Sequence, residues 1–272
     1  MQTRAIPATG EPLPVIGCGT YVGFDVAGDA ASLARLAAVV AALRDAGGSV
    51  LDSSPMYGRA EAVIGEVVDA AARRHCFLAT KVWTQGRDAG IRQMEASLRL
   101  MRTPTLDLIQ VHNLVDWRTH LATLRDWKAA GRVRYIGVTH YTSSAYRELE
   151  AAMRAATFDF VQVNYALDDR DAAARILPLA AERGMAVLVN RPFGGGGLLR
   201  RLRDRPLPGW ADDIGATTWS QVLLKFVLSH PAVTCAIPGT GDPAHMADNA
   251  AAGGRAAPPE SFWRDAAHRI DH

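Results

Sequence analysis

The sequence predicts an α/β fold, a closed (β/α)8 TIM barrel with an N-terminal β-hairpin and a short C-terminal tail. Short β-branched and apolar runs alternate with longer alanine-rich segments of helical period, the pattern of strand-helix units with parallel strands. Eight such units fit in about 250 residues, the size of a barrel of this kind. No linker or low-complexity segment divides the chain, so residues 1–272 are expected to form one domain.

The hairpin is expected over about Thr3 to Leu13. Strands follow at Val15–Thr20, Ser49–Asp52, Cys76–Lys81, Leu106–His112, Val133–Thr139, Phe158–Val163, Met185–Asn190 and Thr234–Pro238. Helices are expected at Ser32–Ala46, Ala60–Arg73, Gly90–Met101, Trp117–Ala130, Ser144–Ala155, Asp171–Arg183, Thr217–Ser229 and Pro243–Ala251. Gly47, Gly131 and Gly184 each stand just past a helical run, where a left-handed residue ends a helix most cheaply. An open doubly wound sheet would carry a G-x-G-x-x-G turn after its first strand, and "GCGTYVGFDV" lacks that spacing. The run "FGGGGLL", Phe193 to Leu199, follows the seventh barrel strand, a region where such barrels often bind phosphate.

Composition narrows the function classes. With 49% hydrophobic and 21% charged residues, the chain can bury a substantial core. A net charge of +2 is only mildly basic, and the one basic cluster, "RRLRDR" at Arg200 to Arg205, reads as a solvated loop, so no nucleic-acid partner is expected. Cys18, Cys76 and Cys235 are odd in number and set among apolar residues, which argues against disulfides and zinc. No apolar run approaches the roughly 20 residues of a membrane span. The expectation is a cytoplasmic monomer or weak oligomer acting on a small molecule; a removed signal peptide would make it periplasmic.

A barrel places its active site at the carboxyl ends of its strands. In the stretch from Ser49 to Gly65 the second strand ends in Asp52 and Tyr57 follows on the loop; the third strand ends in Lys81 and the fourth in His112. Four ionisable groups thus meet at one rim, a set suited to protonating a carbonyl oxygen. A phenol with an ordinary pKa near 10 needs a cation to exchange its proton readily at neutral pH, and Lys81 is the candidate. Asp52 would hold Lys81 charged, and His112 would orient the carbonyl oxygen or pass the proton onward. A metal-dependent hydrolase would need several His and carboxylate ligands there, whereas only His112 and Asp52 are suitably placed and Lys81 would repel a cation.

These residues resemble the aldo-keto reductases. The run Asp52-Ser53-Ser54-Pro55-Met56-Tyr57-Gly58 followed by Glu61, Ile64 and Gly65, then "LATKVW", "SLRLMRTPTLDLIQVHN" and "GRVRYIGVTHY", are similar to the family's blocks in order and spacing, and the likeness runs from about Val15 to Asn249. The resemblance implies reduction of an aldehyde or ketone to an alcohol, or the reverse, with Tyr57 as general acid, Asp52 and Lys81 tuning it, His112 orienting the carbonyl and a nicotinamide cofactor giving hydride. It also implies cofactor contacts: Thr139, His140 and Gln162 for the carboxamide; Asn190, Arg191, Phe193 and Gly195 after the seventh strand. Pro238, Gly239, Thr240, His245, Asp248 and Asn249 would face the adenosine end. Gly239, Gly241 and His245 stand where relatives often carry cations for the 2′-phosphate, leaving NADP(H) as the family's cofactor and NAD(H) as the alternative. Tyr21 and Trp83 would wall the substrate pocket, and the short loop "HNLVDW" implies an open site for small carbonyls. The resemblance also admits a nicotinamide-binding regulatory protein of the channel β-subunit type, with little turnover.

Overall fold

The computed structural model describes residues 1–271. In chain order its elements are β1 (Thr3–Ala5), β2 (Pro12–Pro14), β3 (Cys18–Gly19), α1 (Ala30–Asp45), β4 (Val50–Asp52), α2 (Ala60–Val67), α3 (Ala70–Arg73), β5 (Phe77–Val82), α4 (Arg87–Leu100), β6 (Leu106–His112) and α5 (Trp117–Ala129). There follow β7 (Val133–His140), α6 (Tyr146–Ala155), β8 (Phe160–Asn164), α7 (Asp171–Glu182), β9 (Ala186–Asn190), α8 (Gly197–Leu202), α9 (Trp219–Ser229), β10 (Cys235–Ala236), α10 (Pro243–Ala251) and α11 (Glu260–Asp271). Strands β3 to β10 pair in sequence order, all parallel. Parallel bridges Ile16–Ala236 and Gly19–Gly239 join the first of these strands to the last. All eight expected strands are therefore present in a (β/α)8 barrel.

Alternation along the strands explains where side chains go. Leu78, Ile109, Val111, Ile136, Val138, Val161, Val163, Val187 and Val189 belong to the large outer core with the helices, whereas their neighbours at Phe77, Ala79, Leu108, Tyr135, Phe160, Ala186 and Leu188 fill the barrel interior. Both faces of the barrel strands are buried over nearly all their length, which is why these strands read as largely apolar runs. The hairpin β1–β2 adds Ile6 and Leu13 to the interior cluster. Tyr135 ties it to the sheet, donating to Glu11 Oε2 at 2.5 Å and meeting Thr9 Oγ1 at 2.8 Å.

Two local expectations need correction, and the tail gains detail. The helix expected over Ala60–Arg73 is two, α2 and α3, because Asp69 leaves helical backbone and caps α3, its Oδ1 accepting from Ala72 N at 2.7 Å. The basic run Arg200–Arg205 is not all loop: α8 includes Arg200 and Arg201, after Gly194, Gly195 and Gly196 turn the chain with φ of 58°, 66° and 86°, values suited to glycine. The C-terminal tail contains α11, whose Trp263 is buried edge-on against Trp210 and Phe226.

Candidate active site

The inward face of each strand turns from apolar to polar toward its carboxyl end. On β4 Val50 is followed by Asp52; on β5 Phe77 and Ala79 by Lys81; on β6 Leu108 by Gln110 and His112; on β8 Phe160 by Gln162. The result is a buried polar layer. Lys81 Nζ donates to Asp52 Oδ2 and to the Ser53 carbonyl oxygen, each at 2.7 Å. The other carboxylate oxygen, Asp52 Oδ1, accepts from Gln162 Nε2 at 3.0 Å and Gln110 Nε2 at 3.4 Å. Lys81 has no exposed surface, and a buried ion pair persists only when such further bonds complete it. Burial acts to lower the Lys81 pKa, but Asp52 and Tyr57 outweigh it and hold the group above its ordinary value, so the ammonium stays charged.

Tyr57 stands above this pair on the loop between β4 and α2. Its ring centroid lies 5.0 Å from Lys81 Nζ, 6.3 Å from the His112 ring and 5.0 Å from the Tyr21 ring. Burial raises the phenol above its usual pKa and Lys81 opposes this only in part. Lys81 acts in the expected direction, favouring the phenolate, but burial outweighs it, so Tyr57 is a protonated phenol at neutral pH. His112 is buried, and burial first, then the Lys81 charge, push its pKa down to about 3. It is therefore a neutral imidazole. Ser54 Oγ lies 3.4 Å from its Nδ1; with Ser54 as donor the ring N–H is on Nε2. Trp83, 41% exposed, stands 6.3 Å from the His112 ring, and Tyr21 is 64% exposed, so both aromatic side chains line an open mouth.

The residues assigned to cofactor by resemblance divide into those at this rim and those engaged elsewhere. Thr139 and Gln162 are buried and joined, Thr139 Oγ1 donating to Gln162 Oε1 at 3.5 Å. His140 Nδ1 accepts from Thr142 N at 3.2 Å, and its ring stacks on Tyr141. Asn190, at the end of β9, keeps a buried Oδ1 with no partner among the described residues. Arg191 takes a left-handed φ of 49° and packs over Gly195. Phe193 is buried, its ring packed in the outer core. Asp248 is turned to α9, accepting from Thr218 Oγ1 at 3.0 Å and Gln221 Nε2 at 2.7 Å. Asn249 is buried beside it in sequence, whereas His245 is exposed and Pro238, Gly239 and Thr240 form the loop after β10.

That loop has a cation the sequence did not point to. Arg35, on α1, donates to the Gly241 carbonyl oxygen. A Cβ at Gly241 would stand 2.9 Å from both the Arg35 guanidinium and the Gly23 carbonyl oxygen, so any side chain at 241 would force a shift there. Asp242 caps α10, its Oδ1 accepting from Ala244 N at 2.7 Å. Arg35 is remote from this loop in sequence, and no local motif links the two. Gln110 and Ser54 were also missed, although Gln110 sits two residues before His112 on the same strand face, a spacing that marks a shared interior.

The comparisons with known proteins agree with this fold. The model of the aldo/keto reductase family matches residues 15–264. Methylglyoxal reductase YeaE of Escherichia coli is 32% identical over 263 residues, covering 92% of this chain and 89% of that protein. An aldo-keto reductase from Klebsiella pneumoniae, solved in complex with NADPH, has 26% identity and a TM-score of 0.82, with 100% of this chain and 94% of that one covered. Aldo-keto reductase YhdN of Bacillus subtilis is 26% identical over 206 residues, covering 70% of this chain and 61% of that protein. The chain belongs to the aldo/keto reductase family and is a nicotinamide-dependent oxidoreductase that interconverts carbonyls and alcohols.

Proposed function

We propose that residues 1–272 form one cytoplasmic reductase domain in which Tyr57 gives its proton to the carbonyl oxygen of a small aldehyde or ketone, with NADP(H) as the cofactor. The observation that carries this reading is the buried Lys81–Asp52 pair at 2.7 Å, with the ammonium 5.0 Å from the Tyr57 ring centroid. The phenol is protonated, as a proton donor must be, and the ammonium beneath it stabilises the phenolate left behind. Neutral His112 offers an N–H to the carbonyl oxygen without competing for its proton. Tyr21, Trp83 and Met56 make an exposed apolar rim that favours small, uncharged substrates, and the methylglyoxal reductase among the relatives points to short α-oxoaldehydes.

The residues present fit a nicotinamide cofactor. Asn190 Oδ1 is an unmet acceptor suited to an amide N–H, the glycine run 194–197 leaves bare backbone after β9, and Arg35 and His245 flank the loop after β10. When bound, the cofactor supplies the hydride; Thr139, Gln162 and Asn190 would hold its carboxamide. Arg35 favours a 2′-phosphate at the adenosine end, the feature that distinguishes NADP(H). Titrating the purified protein with NADPH and NADH, and following quenching of tryptophan fluorescence, should give saturable binding with NADPH the tighter ligand. Equal binding of NADH would remove the phosphate preference, and binding of neither would overturn the cofactor reading.

A further inference from the structure

The polar layer contains a buried amide that the reaction described above does not use. Gln110 has no exposed surface, and its Oε1 has no hydrogen-bond partner among the described residues. It lies across Gly137 of β7, where a Cβ would come within 3.0 Å of the Gln110 Cγ, so the glycine makes room for it. A buried amide with one unmet group is destabilising relative to an apolar side chain of the same shape. The amide also cannot turn over, since Oε1 against Asp52 would set two acceptors face to face. What Gln110 does have is a single bond, from Nε2 to Asp52 Oδ1 at 3.4 Å, beside the Gln162 bond to the same oxygen.

We propose that Gln110 is a positioning residue which, with Gln162, clamps the second oxygen of Asp52 and so sets how much of the Lys81 charge is left for Tyr57. The proposal rests on the reading of Tyr57 as proton donor. Tyr57 is faced by Asp52 from β4, Lys81 from β5, His112 from β6 and Tyr21 from the loop after β3. Asp52 is faced in turn by Lys81, and its charge also reaches the buried thiols of Cys18 and Cys235, which hydrogen-bond to backbone carbonyls. The thiols stay protonated, because burial pushes Cys18 up to about 12 and Cys235 higher still. The two amides are thus the neutral donors that share the carboxylate with Lys81. Without the Gln110 N–H, Asp52 leans more heavily on Lys81, less of the ammonium's field reaches the phenolate, and the phenol releases its proton less readily.

The test is the pH profile of kcat/KM for carbonyl reduction in Gln110→Met, a substitution that keeps length and loses both amide groups. The alkaline limb should move up by about one pH unit, with kcat lowered more than KM is raised and NADPH affinity unchanged. Gln110→Leu carries the same expectation if the methionine variant folds poorly. A limb left at the wild-type pH, with only a lower melting temperature, would make Gln110 a packing residue and overturn the proposal. Tyr57→Phe, run alongside, separates the two readings: an inactive Tyr57→Phe with an unmoved Gln110→Met profile sinks the clamp alone, and an active Tyr57→Phe sinks the proton-donor reading with it.

Discussion

The barrel interior has two layers built on the same strands, and they answer to different physics. The lower layer, from Val50, Phe77, Leu108, Tyr135, Phe160 and Leu188 with Ile6 and Leu13 of the hairpin, is apolar and held by burial and close packing. The upper layer, further along the strands toward their carboxyl ends, is Asp52, Lys81, Gln110 and Gln162, where each group is held by its bonds to the others. A residue lost from the first leaves a hole, whereas a residue lost from the second leaves an unpaired polar or charged group. The floor thus supplies rigidity, and the layer above it uses that rigidity to keep an ion pair out of water beneath Tyr57.

One substitution in each layer should break them differently. Lys81→Met strands the Asp52 carboxylate in a buried site and should cost about 3–5 kcal/mol of stability by chemical denaturation. It should also abolish measurable turnover, because the phenolate loses its counter-charge. Phe160→Ala in the floor should cost a similar amount, about 3–5 kcal/mol, through the cavity it leaves. Its kcat, measured on the folded fraction, should stay near wild type. Equal losses of turnover in both variants would dissolve the distinction between the layers. A smaller effect is expected at the periphery. Arg35→Gln removes the cation beside Gly241 and should weaken NADPH binding by about tenfold, the scale of one charge-assisted bond, while leaving NADH binding unchanged in the same fluorescence titration.

The two layers were also unequally legible. The apolar floor and the outer core follow from residue type and period, so the eight strands and their order could be read from the chain itself. Asp52, Tyr57, Lys81 and His112 were legible because ionisable residues are rare at successive strand ends. The structure brings all four together, and the family resemblance supplied the roles proposed for them. What remained hidden depends on the third dimension. Arg35 approaches Gly241 only because α1 packs near the loop after β10, and the bonds of Asp248 to Thr218 and Gln221 join residues some thirty positions apart. The net rise in the Tyr57 pKa was likewise a balance of burial against charge, which the residue types named without deciding the winner. Phe193 illustrates the same limit, since an aromatic in a glycine-rich loop gives no sign of which way its ring is packed.

The most direct test of the account is to follow nicotinamide absorbance while the wild-type protein and Tyr57→Phe are each mixed with NADPH and a short α-oxoaldehyde. The wild type should oxidise NADPH, and Tyr57→Phe should be slower by about a thousandfold with its NADPH affinity intact. Undiminished turnover in the variant would contradict the account by taking the proton from somewhere other than Tyr57. Tight NADPH binding by the wild type with no turnover over a broad panel of aldehydes and ketones would contradict it from the other side.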